Sequence, residues 1–237
     1  MSGYPGTERV AAPTINHPLL PEEERLAGFA ISHGLASLRC YVDALIADLS
    51  LFDTCVQQIS ARDGKVPPWN SRLWMHTAAR DGIMMIYHFG KAMEGIRKSF
   101  RSCPTLRAVV NHHTLRESSK LFTSTFPRLE KFRHAVAHVA ELAEGSEALL
   151  TNAFRMPLHQ AINTEEGNIN NIMLGGGLLC GRDFLVTIEG KLISCKISMN
   201  AAWKLIEILK LFYSGFSEDE YLISHLQDLQ QATFYFQ

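Results

Sequence analysis

The apolar positions of the chain fall into two long stripes with helical spacing. Leu38, Val42, Leu45, Leu49, Phe52, Val56 and Ile59 recur at alternating intervals of four and three, which keeps them on one face of a helix with 3.6 residues per turn. A helix that opens near Pro21-Glu22-Glu23-Glu24, where proline and acids suit an N-terminus, accounts for this stripe. It must end at Asp63-Gly64-Lys65-Val66-Pro67-Pro68, because proline removes a backbone donor and clashes with the preceding turn. Met75, Ala79, Gly82, Ile86, Phe89, Met93, Ile96 and Phe100 form the second stripe. A short connection between matching stripes predicts two long antiparallel helices, with Gly82 and Gly90 able to admit close approach.

Beyond this pair the pattern weakens. Pro104 can open a third helix through Leu106, Val109, Val110, Leu115, Leu121 and Phe122. Ser124 or Thr125 can cap a fourth, with Pro127 in its first turn and Gly145 beyond its end. From Asn168 the periodicity changes: Ile169, Ile172 and Leu174 precede Gly175-Gly176-Gly177, then come Phe184–Ile188, Glu189-Gly190 and Leu192–Ile197. These runs predict two or three antiparallel strands. The triple glycine reads as a turn, since it lacks the Gly-Lys-Ser/Thr ending of a phosphate loop. Asn200 can cap a last helix through Trp203, Ile206, Leu209 and Phe212 to Gly215, and the tail to Gln237 keeps a weaker helical pattern. The expected fold is mainly α, a helical bundle with long antiparallel helices plus a small antiparallel β hairpin or meander near the C-terminal third. Its expected organisation is an extended arm at 1–20, the bundle at 21–145, and a β element with a C-terminal helix packing on the bundle at 146–237.

Composition narrows the function classes. Lys plus Arg number 23 against 24 for Asp plus Glu, so no whole-chain field draws the protein to nucleic acid or an anionic membrane, and such binding needs a local patch. The start lacks a basic segment followed by an apolar one, and charges interrupt every long apolar run. The expectation is a soluble cytoplasmic protein without a membrane partner. Five scattered cysteines without a C-x-x-C pair exclude a disulfide framework and read as small hydrophobes.

Candidate chemistry concentrates on the predicted fourth helix, from Phe132 to Glu141. His134, His138 and Glu141 cluster within roughly 60° on the face opposite Phe132, Val136, Val139 and Ala143, with Arg133 at the edge. Two imidazoles and a carboxylate can hold a metal or shuttle protons, and a guanidinium can hold a phosphate. The same residues also read as a solvated helix face. A zinc site would need further ligands from His76, Asp81, His88, His112 or His113. No compact set is legible, so no metal or other cofactor is expected, although Asp81 and His88 share a helix face.

Arg133-His134-Ala135-Val136-Ala137-His138 resembles the signature of the HEPN superfamily, an arginine and a histidine spaced along a helix with a polar residue commonly following the arginine. The similarity covers this hexapeptide and the helix-rich architecture before it. Arg107 with His112 or His113, and Arg128 with His134, share the bare spacing but lack the polar second position. The resemblance implies a homodimer whose paired motif helices form a metal-independent ribonuclease site, or a nucleotide-binding site as in inactive members. On that reading His138 is the general base or acid for attack by the ribose 2′-hydroxyl, Arg133 stabilises the developing phosphorane charge, and His134 is a supporting donor. Arg133 and His138 project about 140° apart on a straight helix, so two chains converge them more readily than one. Ala135, Ala137 and Ala140 would let a partner helix approach. Lys120, Arg128 and Lys131, together with Arg116 and Arg133, outnumber Glu117 and Glu130 and form a candidate RNA-guiding patch, with Glu141 as a further binding residue. A noncatalytic helical interaction module and a metal-dependent hydrolase using His134, His138 and Glu141 are the alternative readings.

Overall fold

The computed structural model describes residues 10–61, 69–137, 177–216 and 222–225, with the single positions 147 and 151. In chain order the elements are β1 (Pro13–Ile15), α1 (Arg25–Ser60), α2 (Trp69–Ser99), α3 (Pro104–Val109), α4 (His112–Thr125), α5 (Leu129–Ala137), β2 (Leu178–Cys180), β3 (Asp183–Ile188), β4 (Lys191–Lys196), α6 (Met199–Ser214) and β5 (Ile223–His225). The protein is mainly helical, with long helices and a small three-stranded antiparallel sheet in its C-terminal region. No helix among the described residues is long and apolar enough to cross a membrane.

Two compact units interleave along the sequence. Unit 1 comprises Met1–Asp43, His88–Phe126 and Trp203–Gln237, and unit 2 comprises Ala44–Tyr87 and Pro127–Ala202. Helices α1 and α2 each contribute one part to either unit.

In unit 1, α1 buries Ile31, Leu35, Leu38 and Val42, while α2 buries Phe89, Met93 and Ile96. The helices run antiparallel: Tyr41 stacks on His88 with ring centroids 5.7 Å apart, and a Cβ on Gly34 would lie 2.6 Å from Ile96 Cγ1. Gly90 admits the Phe122 ring of α4, which also stacks on Phe89 at 5.8 Å. Helix α6 closes the core with Leu205, Ile208, Leu209 and Phe212, and the Tyr213 hydroxyl donates to the Leu35 carbonyl at 2.7 Å. The buried Glu24 carboxylate accepts the Thr105 backbone N–H and hydroxyl, both at 3.0 Å, and so secures the first turn of α3. β1 pairs antiparallel with β5, with Ile15 opposite Ile223.

Unit 2 repeats the antiparallel arrangement. Gly82 of α2 lies against Leu45 and Asp48 of α1, and the Ser71 hydroxyl donates to Gln58 at 3.2 Å. The sheet has the order β2-β3-β4, with Leu178 opposite Leu185 and Phe184 opposite Cys195. Phe184 to Ile188 are buried without alternation because β3 is the central strand and is covered on both faces. Glu189 and Gly190, both with positive φ, make the tight turn to β4. α5 packs on β3 and buries Leu129, Phe132 and Ala135.

Several local expectations need correction. The segment opened by Pro104 is two helices, because Val110 is extended and the Asn111 side chain accepts from the backbone N–H groups of His113 and Thr114, both at 3.1 Å, capping a new helix. Ser124 and Thr125 end α4, where the Ser124 hydroxyl donates back to the Leu121 carbonyl, and neither caps α5. α5 starts at Leu129, after Arg128 takes a left-handed conformation at φ 68°. The tail contributes a strand at Ile223–His225, whose pairing with β1 depends on a partner far away in sequence. The first acids form a short 3-10 turn, Glu22–Glu24, ahead of α1, and α6 starts at Met199, one residue before Asn200. The strand expected at Ile169 to Leu174 lies outside the described residues.

Candidate functional site

The predicted motif helix is described only in part. Leu129, Phe132 and Ala135 face the interior of unit 2, so Ala135 is already packed within its own chain; Arg133 is half-buried and His134 is exposed. His138, Ala140 and Glu141 lie outside the described residues. Lys131 donates to Glu189 at 2.6 Å, and this hydrogen bond holds the Glu189 carboxyl below its ordinary range, with lesser help from Lys191 and His134. Arg128 is exposed at its left-handed turn. The proposed cation patch divides between the units, with Arg116 and Lys120 in unit 1 and Arg128, Lys131 and Arg133 in unit 2. Lys120 donates to Glu117 at 3.0 Å and lowers its carboxyl.

Two other candidate ligands, His76 and His88, pack against aromatic rings. His76 Nε2 lies 3.1 Å from the Gly177 carbonyl oxygen and its ring is 5.4 Å from Phe184. His88 is the ring stacked on Tyr41. Among the described residues no group of three or more His, Cys, Asp or Glu side chains is placed to hold a metal ion. Cys55 and Cys103 are buried as expected, whereas Cys40 is exposed. Burial pushes the Cys103 and Cys195 thiols up to about 11, which keeps them protonated and poor nucleophiles. Arg182 forms an ion pair with Asp53, lies over the Phe52 ring at 5.4 Å and donates to the Ile197 carbonyl at 3.1 Å, fastening the sheet to α1 within unit 2.

Asp48 is displaced well away from ordinary carboxylate behaviour. Its Oδ2 is buried without a hydrogen-bond partner among the described residues, beside Gly82. Desolvation, with repulsion from Asp81 as the smaller cause, raises its carboxyl to about 7.

A cleft of about 540 Å³ opens in unit 1. Its cations are Arg97 and Lys98 at the end of α2, Arg101 just beyond, Arg107 on α3 and Arg116 on α4, against one acid, Glu94. Five positive groups and one negative group leave an excess of four charges. Phe100 and Leu115 form an apolar floor and are nearly fully buried. That floor is held from below: Phe100 is 6.0 Å from Phe216, Leu115 contacts the Gly215 backbone where a Cβ would come within 2.7 Å, and Asn111 N–H donates to the Gly215 carbonyl at 2.8 Å. His112 meets Phe100 edge-on at 5.8 Å, and its Nε2 lies 2.9 Å from the Arg107 carbonyl oxygen. A carbonyl can only accept, so Nε2 carries the proton there.

Arg97 donates to the Ser119 hydroxyl at 3.1 Å, and Lys98 pairs with Glu94 at 2.7 Å. Arg101, Arg107 and Arg116 have no side-chain hydrogen bond or ion pair among the described residues. Sequence reasoning included Arg116 in its patch and noted the Arg107–His112 spacing, but missed Arg97, Lys98 and Arg101. Cations in the last turn of a helix complement its dipole and give no separate signal.

No family model, curated protein or solved structure shows a significant match to this chain.

Proposed function

We propose that the protein binds phosphate-bearing ligands, nucleotide or RNA, in the cleft of unit 1. The carrying observation is the three guanidinium groups of Arg101, Arg107 and Arg116, which line a cavity of about 540 Å³ together with Arg97 and Lys98, against one lining acid among the described residues, Glu94. Like charges held together repel, and an anion between them relieves that repulsion. Guanidinium presents paired donors that match phosphate oxygens, and the cavity lies in the size range of small-ligand sites.

Titration of fluorescently labelled single-stranded RNA and of ATP, each at low and high salt, tests this reading. Binding should weaken steeply with salt, since each phosphate contact releases counterions. It should disappear in the double variant Arg101→Glu, Arg107→Glu. Absence of binding, or binding indifferent to these substitutions, overturns the proposal.

RNA cleavage by a homodimer through Arg133, His134 and His138 is the second reading. The exposure of His134 beside half-buried Arg133 on α5 favours it. If it holds, His138→Ala lowers RNA cleavage by about 100-fold or more, the usual worth of positioned proton transfer. Full cleavage by that variant would remove it.

A further inference from the structure

We infer that the ligand of the unit 1 cleft is an unpaired nucleic-acid strand several nucleotides long, whose phosphates continue out of the cleft over Lys91 of α2 and Lys120 of α4. The inference rests on the phosphate-binding reading above and names the ligand class that the charges beyond the cleft select. Those charges are concentrated in one stretch of the chain. From His88 to Phe126 seven Lys and Arg stand against two Glu, an excess of five positive charges in a protein whose net charge is -1. This stretch is the middle segment of unit 1 and supplies the cations of the cleft. A local excess of this kind is the electrostatic footprint of a polyanion.

The packing of α2 against α4 arranges the excess as a track. The two helices run antiparallel, since Arg97 donates to Ser119 while Gly90, two turns earlier on α2, meets Phe122, one turn later on α4. The way out of the cleft therefore leads back along α2 and forward along α4. On α2, the lining residue Glu94 accepts Lys98 at 2.7 Å and, from the outer side, Lys91 at 3.3 Å. One carboxylate cannot neutralise two ammonium groups, so this stretch stays positive. On α4, Lys120 stands one turn beyond the lining residue Arg116 on the same face. Glu117 answers Lys120 at 3.0 Å, which leaves the charge of Arg116 in excess. Lys91, Lys98 and Lys120 are all exposed. At 1.5 Å per residue Lys91 lies about 15 Å from Arg101 along the helix axis, farther than the triphosphate of one nucleotide reaches. A strand of several nucleotides covers that span and releases more counterions. An unpaired strand can bend into the cleft, whereas a duplex, with a persistence length of about 50 nm, resists doing so.

Fluorescence anisotropy at about 0.1 M salt, where exposed charges more than about 10 Å apart are largely screened, tests the inference. The probes are labelled oligouridylates of three and twelve nucleotides, labelled ATP and a twelve-base-pair RNA duplex. The long strand should bind at least about tenfold tighter than the short strand or ATP, with a salt slope steeper by about 0.7 for each added phosphate contact. The slope separates added contacts from the mere number of binding registers. Lys91→Gln with Lys120→Gln, both outside the cleft lining, should weaken the long strand by about tenfold and leave ATP within about threefold. The duplex should bind more weakly than the single strand. A long strand with the salt slope of ATP, an advantage that survives the two lysine substitutions, or a preference for the duplex overturns the inference and leaves the phosphate-binding proposal standing. No binding of any probe, or binding unaltered in a folded Arg101→Glu, Arg107→Glu variant, overturns both.

Discussion

The two units carry cations of the same kind with opposite consequences. In unit 2 two cations near the motif helix and the sheet are answered from within: Lys131 by Glu189, and Arg182 by Asp53. In unit 1 three arginines line a cleft whose one acid among the described residues, Glu94, is paired with Lys98. The R-x4-H spacing sharpens the contrast. Arg133 lies within α5, whereas Arg107 and His112 straddle the break between α3 and α4 and meet through a backbone carbonyl. Spacing alone therefore identifies neither a site nor its absence. What matters is whether a charge has already found its partner, because an internally paired cation has little attraction left for a ligand.

The largest effect should come from reversing charge in each region and comparing the two. Arg101→Glu with Arg107→Glu should weaken binding of labelled RNA by more than about 100-fold at low salt, since it changes four charges at the phosphate path. Arg133→Glu, measured in the same buffer, should change it by less than about threefold. The reverse order of effects would move the binding site to α5.

A second test concerns the buried carboxyl of Asp48 in unit 2. The folded Asp48 carboxyl titrates at about 7, above its ordinary value of 3.8. Between those values the folded protein holds a proton that the unfolded chain has released. Stability contributed by this group is therefore greatest below about pH 4, falls as pH rises toward 7 and is flat above. Asp48→Asn should remove that slope and stabilise the protein at pH 8 by about 2 kcal/mol, the order of cost of an unsatisfied buried acceptor after allowance for partial solvation. Thermal melts across pH 5–8 measure it. An unchanged slope in the variant would mean that Asp48 is ionised throughout.

Gly90→Ala probes the packing behind the unit 1 cleft. A Cβ there would lie 2.6 Å from Phe122 Cζ, so the ring must move, and the gain in helix propensity offsets only part of the strain. A net loss of about 1 kcal/mol in denaturant unfolding is expected. A stabilised variant would show that Phe122 yields without cost. The smallest effect belongs to Lys131→Ala, which removes an exposed ion pair and should leave both melting temperature and RNA binding unchanged within error. A clear loss of RNA binding would return Lys131 to the list of ligand contacts.

Much of the fold was legible because helix periodicity is a local property. The stripes from Leu38 to Phe52 and from Ala79 to Phe100 are the buried faces of α1 and α2, and the change of texture after Asn168 marks the sheet. Even Gly82 and Gly90 stand at close approaches, though Gly90 faces α4 instead of α1. The break at Asn111 was harder to see, since an asparagine inside an apolar pattern can be a surface residue or a cap, and only the geometry of its acceptor decides.

Tertiary structure alone decided which cations share a cleft and which are already neutralised. Arg97, Lys98, Arg101, Arg107 and Arg116 come from three helices and a connecting turn, and nothing in their order along the chain sets their distance in space. The same holds for Lys131, whose partner Glu189 is 58 residues away, and for β1, which finds β5 at the other end of the sequence. Hydrophobic periodicity specifies a face because neighbouring turns repeat it; an electrostatic site depends on distances between remote residues, and these exist only once the chain has packed.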